Sequence, residues 1–160
     1  MDLFYINCES FKGKNLKEKQ HNAGRYIVTY VAEKIYKLKN NEIEIINKKP
    51  KFKFSDIHFS ISHSDCYAIV AFDKNPVGLD IEKITERDFL SIAKRMKFEL
   101  KEETLDDFYR CWTLFEAKYK LQQEAKSTFT IDFKDEYKIS VASSTATDIL
   151  KDLNISEIIF

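Results

Sequence analysis

Two carboxylates, Asp80 and Glu82, stand two residues apart in the otherwise apolar stretch VGLDIE, Val77 to Glu82. In a strand such residues share a face, so both acids point one way while Val77, Leu79 and Ile81 point the other. Like charges on one face repel. Either that face is wet, or a hard cation with oxygen ligands removes the repulsion. Further on, CWTLFEAKYK carries Glu116 and Lys120 four residues apart. At 100° per residue Leu105, Phe108, Trp112, Phe115 and Tyr119 form a core-facing stripe. Glu116 and Lys120 fall at its edge, roughly 70° from the centre and beside Tyr109, where they border the core. Such an i, i+4 pair also serves simply to stabilise a helix, by about 0.2–0.5 kcal/mol. His63 lies between Ser62 and Ser64 where a strand ends. Hydroxyls, an imidazole and free backbone amides can cradle a phosphate, with Arg25 and Lys49 adding positive charge.

The elements that must hold these residues follow from periodicity. Leu3 to Ile6 reads as a short strand, and the lysine-rich FKGKNLKEKQ as a solvated loop. Ile27, Val28, Val31, Ala32, Ile35 and Leu38 recur at helical spacing, which predicts an amphipathic helix over 22–38. Ile57, Phe59 and Ile61 alternate with polar residues, Cys66 to Phe72 is apolar on both faces, and Val77 to Ile81 follows the turn DKNP. These predict three adjacent antiparallel strands. Thr85 with Asp88 has the pattern of a capping box opening a short helix through Ile92, Ala93 and Met96. A longer helix follows, from about residue 102 to 124. FTIDF, YKISVAS and ISEIIF are strand-like, so the class is α+β, with helices packed on antiparallel sheet.

A chain of 160 residues with 44% hydrophobic content suits one domain spanning 1–160. Three glycines, two prolines and no low-complexity tract offer no linker. Twenty-six basic residues cancel twenty-six acidic ones, which argues against steered binding of nucleic acid or an anionic membrane. Any anionic ligand must be held locally. Cys8, Cys66 and Cys111 match neither a disulfide framework nor a zinc site and are expected as reduced thiols. With no secretory signal pattern and no run of eighteen apolar residues, the expectation is a soluble cytoplasmic protein.

Taken in order, ISHS (Ile61 to Ser64), VGLDIE (Val77 to Glu82) and WTLFEAKYK (Trp112 to Lys120) resemble the signature of the 4′-phosphopantetheinyl transferase superfamily. The family carries a Ser-His-Ser turn, a (V/I)G(I/V)D strand with Glu two residues after the Asp, and a W(S/T)xKExxxK helix at about this separation. The match spans roughly 25–126. KKP at Lys48 to Pro50 looks like the family's GKP, and Arg25 like its coenzyme-binding arginine. The resemblance is to a shortened surfactin-type enzyme, which implies a monomer of two pseudo-twofold halves, about 1–75 and 76–160, with the site between them. It implies transfer of the phosphopantetheine arm of coenzyme A to a serine of an apo acyl carrier protein or peptidyl carrier domain, releasing adenosine 3′,5′-bisphosphate. Such carriers serve fatty acid, polyketide or nonribosomal peptide biosynthesis. Mg²⁺, or Mn²⁺, would be held by Asp80, Glu82 and Glu116. Glu116 is the candidate general base, and Lys120 would neutralise phosphate. Ser62 and His63, helped by Arg25 and Lys49, would take the coenzyme's 3′-phosphate.

Two departures stand out. Phe115 occupies the position of the family's usual lysine, and Ala125 that of a glycine after the helix. Both fit an alternative, a weakened relative that grips coenzyme or carrier without transfer. A metal-dependent nuclease, read from Asp80 followed by Glu116-Ala117-Lys118, is less favoured. On a helix Lys118 lies about 200° from Glu116, and the chain has no basic surplus for a phosphate backbone.

Overall fold

Leu3 to Ile6, apolar throughout and buried, form the middle of strand β1 (Asp2–Asn7). The computed structural model of the protein describes residues 1–146 and 153–159. Helix α1 (Leu16–Tyr30) follows and continues into a π-helical turn, Val31–Ile35. A hairpin of β2 (Ile43–Ile46) and β3 (Lys49–Phe52) leads into β4 (His58–Ser64), β5 (Tyr67–Asp73) and β6 (Val77–Lys83). Next come helices α2 (Phe89–Met96) and α3 (Leu105–Leu121), then strands β7 (Ser127–Phe133), β8 (Tyr137–Ser143) and β9 (Asn154–Glu157). The class is mixed α and β with antiparallel sheets, as expected. Phe160, the last residue of the predicted strand ISEIIF, lies outside the described residues.

One sheet has the order β4-β5-β1-β9 and the other β6-β8-β7. Leu3, Tyr5 and Ile69 of the first meet Leu79, Ile81 and Ile139 of the second in a shared core. The opposite face of the first sheet, through Phe4, Val70 and Phe72, packs on Ile27, Val28 and Val31 of α1. Alternation along β1 and β5 thus serves two cores at once, one per face. On the far side of the second sheet, Ala117 and Leu121 of α3 pack against Ala142.

Several expectations change. Helix α1 starts before residue 22, because Asn15 caps it by accepting from the Glu18 amide (3.0 Å) while Glu18 accepts from the Lys14 amide (2.7 Å). The supposed loop therefore contains the helix start. The cap of α2 is Asp88, which accepts from the Ser91 amide, whereas the Thr85 hydroxyl lies 2.9 Å from Tyr109 Oη. Strand β6 does not extend the β4–β5 hairpin. It pairs antiparallel with β8. Toward β4, side-chain hydroxyls replace the backbone ladder: Leu79, Ile81 and Lys83 amides donate to Ser60, Ser62 and Ser64 Oγ at 3.1, 3.3 and 2.9 Å. The buried side of α3 holds Phe108, with Leu105 and Trp112 packed against its cluster, as expected, and departs from the expected stripe only further along. It runs through Tyr109, Thr113, Ala117 and Leu121, while Phe115 and Tyr119 are exposed at 42% and 72%.

Small residues set that departure, because they let the helix backbone approach the sheet. A Cβ at Gly78 would lie 2.0 Å from the Ala117 carbonyl oxygen and 2.6 Å from the Leu121 nitrogen. Gly78→Ala must push α3 off β6, and overpacking of this kind costs about 1–3 kcal/mol. A correspondingly lower urea midpoint is expected. An unchanged midpoint would mean that α3 lifts away freely.

Candidate active site

The seam between β4 and β6 builds the site. Residues two apart on β4 offer hydroxyls to residues two apart on β6. Ser62 Oγ donates to Asp80 Oδ1 (2.8 Å) and Ser64 Oγ to Glu82 Oε2 (3.0 Å). Helix α3, drawn in over Gly78, brings Lys120 across so that its ammonium lies 2.7 Å from Asp80 Oδ1 and 3.0 Å from Ser62 Oγ. The predicted i, i+4 partner of Lys120 was Glu116, but the ammonium pairs with Asp80 instead. Ser62, His63, Asp80, Glu82, Glu116 and Lys120 all line one cleft of about 400 Å³. Six of the eight residues singled out from the sequence thus meet here.

Asp80 is 4% exposed, and its Oδ2 is buried with no hydrogen-bond partner among the described residues. Burial holds its carboxyl above the ordinary range, against the pull of the Lys120 ammonium and the Ser62 hydroxyl. Glu82 is raised as well, by burial and then by Asp80, and is opposed by hydrogen bonds from Ser64 and the Trp112 side chain. His63 is pushed below its usual value by burial, with Lys120 and His21 acting the same way against its own backbone hydrogen bond and Asp80. The cleft therefore strains to hold negative charge on β6 with a single ammonium nearby.

Could the residues present hold a divalent ion? Among the described residues, no three His, Cys, Asp or Glu side chains gather closely enough to constitute a metal cluster as they stand. The donor set nevertheless fits Mg²⁺. It consists of hard carboxylate oxygens on one cleft, and the orphaned Oδ2 of Asp80 lacks the partner that a cation provides. Mg²⁺ moreover needs only one or two protein carboxylates, with water and substrate phosphate completing its octahedron.

Ser62 and Lys49 are engaged within the protein, and Arg25 lies outside the Asp80 cleft. The Ser62 hydroxyl donates to Asp80 and accepts from Ile81 N and Lys120 Nζ, which uses its one donor and two acceptor positions. In this arrangement the hydroxyl is fully engaged beside Asp80. Lys49 Nζ donates to the Val77 and Lys120 carbonyl oxygens at 2.7 and 2.8 Å, tying the hairpin to β6 and to the end of α3. Its ammonium is thereby committed to backbone carbonyls. Arg25 lies with His63 on a neighbouring cavity of about 490 Å³ between α1, the β2–β3 hairpin and β4.

Burial, and secondarily Lys51, lowers the Lys49 pKa from 10.5 to about 8. Between those values the folded state binds fewer protons than the unfolded one, so this group makes stability rise with pH across that interval. An NMR titration following the Lys49 Cε resonance is expected to give a midpoint of about 8. A midpoint at 10.5 or above would contradict the enclosure.

Sequence reasoning placed the Ser64 hydroxyl in a phosphate cradle and Trp112 on the core stripe, and foresaw neither beside Glu82. The signal for Ser64 was present: Ser62 and Ser64 repeat the two-residue spacing of Asp80 and Glu82.

Several curated proteins are similar to this chain in sequence. The transferase Sfp of Bacillus subtilis, a 4′-phosphopantetheinyl transferase, is 33% identical over 144 residues, covering 78% of this chain and 64% of Sfp. The chain is a relative of the 4′-phosphopantetheinyl transferases. The transferase gsp of Aneurinibacillus migulanus is 36% identical over 81 residues, which is 45% of this chain and 33% of gsp. A putative 4′-phosphopantetheinyl transferase of Haemophilus influenzae is 35% identical over 86 residues, or 46% and 37% of the two chains. The chain spans less than two thirds of the length of these transferases. No family model matches it. Among the described residues no helix is long and apolar enough to cross a membrane.

Proposed function

We propose that this protein transfers the 4′-phosphopantetheine arm of coenzyme A to a serine of an apo acyl carrier protein or peptidyl carrier domain, releasing adenosine 3′,5′-bisphosphate. The observation that carries this reading is the buried, unpartnered Asp80 Oδ2 in a cleft shared with Glu82, Glu116 and Lys120, in a chain whose relatives are named for this reaction. A Mg²⁺ or Mn²⁺ ion held by Asp80, Glu82 and Glu116 would supply neutralising charge to pyrophosphate oxygens. Ser62 and Ser64 hold the β6 carboxylates in orientation. Lys120, whose ammonium lies at the cleft beside Asp80, neutralises a phosphate of the coenzyme. The carrier serine oxygen forms a bond to the phosphorus of the pantetheine phosphate, and its proton passes to Glu116. The phosphoanhydride bond breaks, and its electron pair leaves on the phosphate of adenosine 3′,5′-bisphosphate. The barrier in such a step is one of charge and alignment, which fixed side chains lower.

We read residues 1–75 and 76–160 as pseudo-twofold halves of a cytoplasmic monomer, and 1–160 as one domain. The test is mass spectrometry of an apo carrier protein incubated with coenzyme A, Mg²⁺ and this protein, with the mass of the added arm as the expected result. Phe115 favours the second reading, a relative that binds without transfer. Its ring stands 5.8 Å from Phe98, outside the Asp80 cleft, where the family's usual lysine would offer charge. Coenzyme binding with no mass gain on any carrier would select that reading.

A further inference from the structure

Two hydroxyls are fully buried where α3 rests on the second sheet, those of Thr113 and Ser140. Their oxygens stand 2.7 Å apart, and Thr130 Oγ1 lies 2.7 Å from Ser140 Oγ on the other side. Thr113 donates its one proton to the Tyr109 carbonyl oxygen at 2.8 Å. Ser140 therefore donates to Thr113, and Thr130 to Ser140. The chain of protons runs one way and ends at Thr130, which is half-buried on the edge strand β7. The rest of this contact is apolar, with Ala117 and Leu121 on Ala142 above Gly78. Hydroxyls placed in such a contact cost free energy unless they are bonded, and here each is bonded across the helix-to-sheet boundary or along the sheet.

Where that bond falls is the point of interest. Ser140 is directly opposite Asp80 in the β6–β8 ladder, just as Ala142 is opposite Gly78. From Thr113 to Ala117 the helix advances about 6 Å, close to the roughly 6.8 Å between residues two apart on a strand. Helix and sheet are thus matched rung for rung: Ala117 lies over Gly78 and Ala142, and Thr113 over the rung of Asp80 and Ser140. Glu116 and Lys120, three and seven residues after Thr113, share its side of the helix and line the cleft of Asp80 and Glu82. Alanine on glycine decides how near the helix comes, but apolar contact has no direction and lets a helix roll or slide. A hydrogen bond has a preferred length and angle. We propose that Thr113 is a positioning residue of the transfer reaction: its hydroxyl, held by Ser140, fixes the roll and axial position of α3 and so places Glu116 and Lys120 relative to Asp80. The inference rests on the transferase reading above and adds to it the pair that aligns the helix with the acid-bearing strand.

Steady-state transfer from coenzyme A with Mg²⁺ to an apo acyl carrier protein, or to an apo peptidyl carrier domain where the first is not a substrate, tests it in the full chain. Thr113→Val keeps the volume and removes the hydroxyl, and Ser140 can then turn its proton to Thr130, so the variant should still melt as a folded protein. Its kcat is expected to fall by roughly 10–10²-fold, the scale set by a misplacement of about 1 Å at a reacting centre, with KM for coenzyme A changed by less than about threefold. Thr113→Ser should restore most of the rate. Ser140→Ala removes the same bond from the strand side and should lower kcat alike, and the double variant should be no slower than the slower single one. With no carrier present, the Mg²⁺ concentration that half-completes the gain in melting temperature should rise in T113V, because Glu116 is displaced. A T113V rate within about twofold of the unaltered one with an unmoved Mg²⁺ midpoint, a rate that T113S fails to restore, or an equal loss of kcat and coenzyme affinity overturns the assignment. Transfer by the unaltered protein keeps the transferase reading in each of those cases. No transfer by the unaltered protein to either carrier overturns that reading, and this inference with it.

Discussion

Asp80→Ala is expected to lower the rate of phosphopantetheine transfer by roughly 10²–10³-fold or more, the usual cost of losing one preorganised electrostatic group at a reacting phosphate. Two oxygens leave the cleft together: Oδ1, on which Lys120 and Ser62 converge, and Oδ2, buried and unpartnered. The alanine variant also leaves the Lys120 ammonium beside a small void. Asp80→Asn is the cleaner companion, because it keeps the volume and removes the charge that burial disfavours. The protonation sign agrees. A carboxyl raised above its ordinary 3.8 binds its proton more tightly when folded, so its contribution to stability falls as pH rises through that range. D80N should accordingly remain folded by thermal melting, lose activity, and no longer gain melting temperature from Mg²⁺ through ligand linkage. Transfer by D80N within a few-fold of the unaltered rate would dismiss the metal assignment.

Glu116→Gln ranks next, with an expected fall of roughly 10²–10⁴-fold in kcat, the range for removing a general base. Glu116 lies at the cleft on α3, across from the β6 acids. It is therefore able to face an incoming hydroxyl while Asp80 and Glu82 stay on their serines. A base role predicts that the acidic limb of the pH-rate profile flattens in E116Q while coenzyme affinity holds. A ligand role predicts weakened Mg²⁺ affinity with the acidic limb preserved. A drop of less than tenfold with an unchanged profile would remove Glu116 from both roles.

Periodicity of two was reliable wherever a strand met two apolar layers. FTIDF and YKISVAS became β7 and β8, and β8 is buried throughout Tyr137–Ser143. The β2–β3 hairpin went unseen because β2 is exposed throughout and β3 buries only Phe52, so it carries little amphipathic signal. Helix α1 was begun too late, since its first turns are polar and solvated and only the Asn15 to Glu18 cap marks the start. The second half of the α3 stripe, Phe115 and Tyr119, was misjudged for the opposite reason. Hydropathy weights large rings, yet close helix-to-sheet approach over Gly78 selects Thr113 and Ala117 for the contact, leaving Tyr119 in solvent.

The sequence by itself determined the chemical inventory of the site: two acids two apart on a strand, a third acid and a lysine one turn apart on a helix, and hydroxyls flanking a histidine. Those spacings act within a few residues, where backbone geometry alone decides which side chains share a face. Which groups pair with which was settled only by the tertiary structure. Lys120 chose Asp80 over Glu116, Ser62 turned inward to Asp80, and Lys49 spent its donors on the carbonyls of Val77 and Lys120. Each of those choices depends on a distance between segments far apart in the chain, set by how closely α3 sits on β6 and how the seam between β4 and β6 is hydrogen-bonded.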